Sequence, residues 1–457
     1  METSPQNDFD GRTHRIAWLR GLSRLARPVR RAVASVAARP SMWSLFDQAL
    51  VSGTSFVTTV CIGRMCSKDE LGVYYLGLSI FYIVRGIQGQ TVSAPYLVYC
   101  NRRRDAELAS YSGSSLAHQA VFSMLTMAFL AVLACVLSMG IGPAALASVV
   151  WVLLGVMPFL LLREYTRRFS FAHLRLPVAI AIDATVAALQ LGSLVLLAYF
   201  GGLSVLTAFV VMGGACAVAS VGWLLSKRHS FRFSGTHIVA DWWHNWSFAK
   251  WALAGDLIGY SAPYIMPWIV VTACGETATG MLAACATLIG LANTFVMGVG
   301  NYLTPKAAKT YSSEGLDALC HLLTKTALMF VATLGGFALL VLLAGDYAAV
   351  FVYGSDYAGT GAGVVMTILA LEMLAMSMGL TVGAGLWAME RPSANFAADV
   401  CTLTVTITTA ICLVHPLGIV GAAAAALLGT STGALVRFLT FMRLVVSTSS
   451  DPVAVSS

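Results

Sequence analysis

Residues 71–99 read LGVYYLGLSIFYIVRGIQGQTVSAPYLVY. The run is long enough to cross a bilayer, which takes about 20 residues of helix, yet Arg85 stands near its middle with Gln88 and Gln90 close behind. Arg85 is 15 residues from Glu70 and 17 from Arg102. At about 1.5 Å per residue, roughly 22–25 Å of helix separates it from either end. A guanidinium so deep cannot snorkel to water, and placing it there costs about 2.5–3.5 kcal/mol on insertion scales. In a membrane protein it has to face other protein groups or an aqueous cavity.

Composition makes this a membrane protein. The chain is 58% hydrophobic and 11% charged, less than half the charge of ordinary soluble domains. So few charges cannot cover the surface of a 457-residue globule. Twelve apolar spans are expected at about 42–63, 71–99, 116–139, 144–162, 177–200, 203–226, 251–274, 280–303, 323–345, 361–389, 394–414 and 417–446. The fold class is therefore an all-α polytopic membrane protein. The basic residues test the count. With the N-terminus inside, the N-terminal segment, the even-numbered connections and the C-terminal end hold 25 of the 28 Lys and Arg. Arg64 and Lys68 fall outside, and Arg85 falls within the bilayer. An extra or missing span would scramble that alternation, so both termini are expected to be cytoplasmic.

The organisation expected is a basic N-terminal segment at 1–40, an N-lobe at 41–226 (spans 1–6), an inter-lobe linker at 227–250, a C-lobe at 251–446 (spans 7–12) and a short tail at 447–457. In the first segment Arg20, Arg24, Arg27 and Arg31 recur on one helical face opposite Leu22, Leu25 and Val29. This pattern suits an amphipathic helix on anionic membrane lipids, broken near Pro28. The alternative, a mitochondrial presequence, is disfavoured by Glu2, Asp8 and Asp10. The linker contains DWWHNWSFAKW, residues 241–251, whose tryptophans suit the membrane–water interface. The halves echo each other: Asp47 precedes Gly72 as Asp256 precedes Gly280, and Pro95 and Pro305 close those spans. Six helices per half give the two lobes one orientation, the parallel repeat that lets lobes rock about a central cavity.

The chemistry that can be excluded is broad. The ten cysteines have no C-x-x-C spacing, and the eight histidines form no H-E-x-x-H. No Walker A or G-x-S-x-G sequence is present. The positive balance describes the inner face and implies no nucleic acid. Short outside loops argue against an enzyme such as a membrane-embedded glycan polymerase or transferase.

GRMCSKDELGVYYLGLSIFYIVRGIQ, residues 63–88, resembles the first two spans of the polysaccharide, or lipid-linked oligosaccharide, flippases of the MOP exporter superfamily. The shared features are Arg64 near the end of one helix, then Glu70 and Gly72 opening the next. VYGSDYAGTG (352–361) resembles the stretch before their tenth helix. HPLGIVGAAAAALLGTSTG (415–433) resembles the approach to the last, at Pro416, Gly418, Gly421, Ala422 and Ala423. The resemblance implies a twelve-helix, two-lobe exporter in the inner (cytoplasmic) membrane that moves polyprenyl-diphosphate-linked sugars outward by alternating access, alongside other polysaccharide assembly proteins. Two departures stand out. Peptidoglycan-precursor flippases usually carry two further C-terminal helices, which are not expected here. The multidrug branch usually has an acidic residue in a first-helix motif, which Asp47 in SLFDQALVSG matches only loosely. An ion-coupled multidrug antiporter of the same superfamily is the alternative function.

For a flippase the candidate substrate-binding residues are Arg85, Gln88, Gln48, Ser52, Asn293 and Tyr260. A guanidinium fork suits a diphosphate. Gln88 shares the helical face of Arg85, Asn293 is its counterpart in the repeat, and Gln48, Ser52, Ser55 and Thr59 form a polar stripe on span 1. Arg85 either points into the cavity or pairs with Asp47 or Asp256. The cavity carboxylates Asp47, Asp256, Asp183, Glu372 and Asp399 are candidates for coupling to H⁺ or Na⁺, with membrane potential as another source of drive. No metal or cofactor is expected.

Overall fold

A computed structural model describes residues 40–450. The described chain is helical throughout, with no strand. Among the described residues, eight helices are long and apolar enough to cross a membrane. Two of them are interrupted where glycines take positive φ, namely Gly275 (φ 84), Gly315 (φ 83) and Gly418 (φ 57). These are angles at which a Cβ would be strained, so the helix can stop and restart there. The breaks yield eleven crossings, and Pro40–Met65, made more polar by its Gln–Ser–Thr stripe, is the twelfth. The all-α fold of twelve spans expected from the sequence is thus present. The N-terminal segment and its arginine-rich helix lie outside the described residues.

Span 1 is Pro40–Met65. Span 2 opens at Lys68–Gln88, capped by Ser67 and Glu70, whose side chains satisfy each other's backbone N–H groups. It then passes through a π-helical turn at Gly89–Ser93 before Ala94–Tyr99. Spans 3, 4, 5 and 6 are Asp105–Ser138, Ala144–Ala172, Leu176–Tyr199 and Val205–Lys227. Span 7 begins in the helix Gly235–Tyr260, breaks at Ser261 and resumes before Gly275. Spans 8 and 9 follow within Ala262–Tyr353, span 10 is Ala362–Ala388, and spans 11 and 12 share Pro392–Ser450.

Three local expectations are corrected. Span 4 does not stop near residue 162. The helix runs on to Ala172, because Tyr165 and Phe169 remain buried and Arg163, Glu164 and Arg167 find partners, so Arg163 and Arg167 are not loop residues. The linker is no loop either, since Gly235–Tyr260 carries it straight into span 7. That helix docks on span 3. Arg103 bonds Asp241 at 3.0 Å, the Tyr111 hydroxyl donates to Asn245 Oδ1 at 2.8 Å, and Ser110 Oγ meets His237 Nδ1 at 2.9 Å. Finally, the linker tryptophans divide their work: Trp243 and Trp251 are exposed, while Trp242 and Trp246 stack on each other and are partly buried against the protein.

The lobes meet along span 2. At the outer end, Gly72 and Gly280 bring spans 2 and 8 into backbone contact. Arg64 donates to the carbonyls of Phe351 (3.1 Å) and Val352 (3.2 Å), and Lys68 donates to that of Asp356 (2.7 Å). Further in, Trp268 Nε1 donates to Ser79 Oγ at 2.8 Å, and Tyr82 stacks on Tyr264 at 5.4 Å. Spans 1 and 8 behave differently along their length. Thr58, Ile62, Thr279 and Ala283 are buried at the outer end, whereas Phe46, Gln48, Phe295 and Tyr302 are exposed at the other. The seam between the lobes is packed at the end that holds Gly72 and Gly280, and the more exposed end lies on the side that the charge distribution assigns to the cytoplasm.

Candidate functional site

The half of the N-lobe away from the Gly72–Gly280 contact holds a buried charge network built on span 4. Arg167 donates to Asp47 of span 1 at 2.6 Å and to Asp183 of span 5 at 2.5 Å. Arg163 donates to Asp183 as well and to Glu164 at 2.7 Å, and Arg167 lies 3.5 Å from Glu164. All three carboxylates are at most 4% exposed on their side chains, so each would be costly to leave ionised without these guanidiniums. Asp47 Oδ1 and Arg163 Nε remain without hydrogen-bond partners.

Arg85 stands beside this network and makes none of its hydrogen bonds. Among the described residues it enters no ion pair. Its guanidinium lies over the Tyr82 ring, 5.1 Å from the centroid. Glu164 is the carboxylate that acts on it most strongly. Neither of the pairings considered from the sequence is made: Asp47 is taken by Arg167, and Asp256 accepts from Gln90 Nε2 at 3.1 Å. Arg85 lines a cavity of about 80 Å³ together with Thr54, Ser55, Tyr82, Arg163 and Gln190. The cavity is too small for a sugar, so anything larger must lie in the cleft between the lobes.

The other candidates separate. Gln88 does not share the open face of Arg85. It is 1% exposed and donates to Gln119 Oε1 at 2.7 Å and to the Leu161 carbonyl at 2.8 Å, which fastens span 2 to spans 3 and 4. Gln48 is exposed and donates to Ser52 Oγ at 3.2 Å, keeping the start of the span 1 stripe on the open side. Thr58 accepts from Gln190 at 2.8 Å, and Thr59 is buried, so the outer end of span 1 is packing. Asn293 is exposed on span 8. The side chain of Tyr260 lies outside the described residues, directly before the break at Ser261.

The carboxylates differ in the same way. Asp183 belongs to the network. Asp399 pairs with Arg437, whose side chain also reaches Asn395 and lies against Gly379 and Gly383. Those glycines make room for the arginine. Glu372 accepts from Thr430 at 2.9 Å. Of the five carboxylates, Asp256 and Glu372 enter no ion pair among the described residues.

Sequence reasoning missed Glu164, and it placed Arg163 and Arg167 in a loop. The signal lay in LLLREYTRRFSFAH, residues 160–173, which has no helix breaker before its end. Its arginines and its aromatic residues both recur at i, i+4.

No family model matches the chain, and no curated protein matches it significantly. Solved structures do. The fold is similar to the inward-facing conformation of a multidrug resistance MATE family transporter of the MOP superfamily, with a TM-score of 0.72 and 16% identity over 90% of this chain and 96% of that one. It is similar to the lipid II flippase MurJ in an inward closed conformation, with a TM-score of 0.73 and 11% identity over 88% of this chain and 87% of that one. Against an outward-facing conformation of a MATE transporter the TM-score is 0.61, at 14% identity over 90% and 95% of the two chains. The fold is similar to that of these transporters over most of the chain.

Proposed function

We propose that this chain, having the fold of the MOP transporters, is a flippase for polyprenyl-diphosphate-linked oligosaccharide in the inner membrane. One observation carries the reading: the N-lobe leaves the Arg85 guanidinium without a hydrogen-bonded carboxylate among the described residues. Arg163 and Arg167 occupy Asp47, Glu164 and Asp183, while Arg85 has no carboxylate partner among the described residues. A diphosphate would find in Arg85 a fork of donors suited to it. The head group would enter the cleft from the cytoplasmic side, with its phosphates toward Arg85 and its sugars along Gln48 and Ser52. The prenyl tail would stay in lipid.

Without a nucleotide motif, the drive falls to membrane potential or an ion gradient. One charge crossing the field gains about 2.3 kcal/mol per 100 mV. Asp256 and Glu372, which have hydrogen-bond partners but no ion pairs, support a second element of the reading, coupling to H⁺ or Na⁺.

The reading is tested by expression in a strain lacking its lipid-linked oligosaccharide flippase. Restored surface glycan that Arg85→Ala abolishes and Arg85→Lys partly keeps is the expected result. Drug resistance on expression, with no restoration of glycan, would favour the antiporter.

A further inference from the structure

We propose that Tyr82 positions Arg85 for its ligand and that Tyr264 makes this positioning depend on the packed seam, so that the site binds more tightly before the seam parts than after. The inference rests on the flippase reading above and assigns two positioning residues to that same site.

Arg85 is ordered without an ion pair among the described residues. Its guanidinium lies over the ring of Tyr82, one helical turn earlier, at 5.1 Å from the centroid, and both side chains line the same small cavity. A guanidinium stacked on a ring engages its face and leaves its in-plane N–H groups for an acceptor. Those N–H groups are the edge that a diphosphate takes. An arginine without such a platform would have to be ordered at the moment of binding, which lowers affinity.

Tyr82 is held in turn from the other lobe. Its ring stacks on that of Tyr264 in span 7, with centroids 5.4 Å apart and planes inclined at 27°. This stack is one rung of a ladder between spans 2 and 7. The ladder starts where Gly72 lies against the Glu276 carbonyl and passes Ser79, which accepts from Trp268 Nε1 at 2.8 Å. After the Tyr82–Tyr264 rung it ends where Gln90 donates to Asp256 at 3.1 Å. Residues 72, 79, 82 and 86 share one face of span 2, and Arg85 flanks it.

The break at Ser261 decides which rungs move together. Asp256 belongs to the helix Gly235–Tyr260, which is fastened to span 3 of the N-lobe. Tyr264 and Trp268 follow the break and lead on to the Glu276 contact. When the Gly72–Gly280 end parts, Tyr264 leaves Tyr82 while Asp256 stays with Gln90. Tyr82 then loses its support and Arg85 its ordered platform. Affinity falls in the state that has to release the head group, because the closed seam and the bound anion favour each other.

The test uses the full chain in lipid nanodiscs, with a fluorescent polyprenyl diphosphate as probe. Tyr82→Leu and Tyr264→Leu should each weaken binding about 5-fold, the worth of one cation–ring contact, while Tyr82→Phe and Tyr264→Phe stay within about twofold of wild type. The double Leu variant should bind as either single variant does, because both rings act through Arg85. Gly72→Ala, which holds the seam apart, should also weaken binding and add little to Tyr264→Leu. Unchanged binding by Tyr264→Leu or by Gly72→Ala, additive losses in the double variant, or an equal loss with Phe overturns the role of these rings and leaves the flippase reading standing. Failure of the wild type to bind the probe overturns the flippase reading, and the role of both rings with it.

Discussion

Gly72 and Gly280 meet backbone to backbone, and the contact is symmetric. A Cβ on Gly72 would lie 2.1 Å from the carbonyl oxygen of Glu276, and one on Gly280 would lie 1.9 Å from that of Lys68. Glu276 and Lys68 each stand four residues before the opposite glycine. The two lobes therefore close the outer face with equivalent pieces of a parallel repeat, and only hydrogen atoms fit between them.

Gly72→Ala or Gly280→Ala should hold this outer face apart. Overpacking costs about 1–3 kcal/mol, enough to shift the closed-to-open ratio roughly 5- to 150-fold. A cysteine at Thr58, which is buried in wild type, would report it in a background without the native cysteines. Membrane-impermeant maleimide added outside should label Thr58→Cys faster in either alanine variant. Unchanged labelling would mean that the spans slide past the added methyl without opening.

Arg167→Met should destabilise the N-lobe strongly. It leaves Asp47 and Asp183 buried with reduced compensation, and breaking a buried ion pair on one side typically costs about 3–5 kcal/mol. The expected result is a lower melting temperature in detergent and a lower yield. The triple variant D47N/R167M/D183N, which removes the charges together, should recover most of the loss.

Gln88→Leu should lower stability and leave substrate affinity within about twofold. The amide clamps Gln119 and the Leu161 carbonyl, and an unsatisfied buried polar group costs about 1–3 kcal/mol. A large loss of lipid binding in folded Gln88→Leu protein would return this residue to the substrate site.

The linker helix should travel with the N-lobe, because Asp241, Asn245 and His237 fasten it to span 3 and its path breaks only at Ser261. A disulfide between Ser110→Cys and His237→Cys, formed with added oxidant, should leave transport near the wild-type rate. Loss of transport that a reductant reverses would show that the linker has to leave span 3.

Much of this arrangement was legible in the sequence. Apolar spans and basic loops gave the crossing number, and the matched offsets of Gly72 and Gly280 marked the repeat whose members now prove to touch. The partners of the charges were not legible, for physical reasons. Apolarity ends at Leu162, but the helix continues, because Arg163, Glu164 and Arg167 satisfy one another and span 5 supplies Asp183. Helical periodicity groups Gln88 with Arg85, yet a rotation of about 60° between them separates the lobe core from the cleft where span 2 meets three neighbours. The π turn at Gly89–Ser93 then brings Gln90 to Asp256, a register that no apolar pattern records.

Transport of the lipid itself tests the central claim most directly. Proteoliposomes carrying the purified chain would be loaded with a fluorescent polyprenyl-diphosphate oligosaccharide, and its exposure to a membrane-impermeant quencher followed over time. Wild-type protein should move the probe between leaflets, and Arg85→Ala should slow it to the protein-free rate while remaining folded. Equal rates for Arg85→Ala and wild type, or no movement by wild type under any imposed ion gradient or potential, would contradict the account.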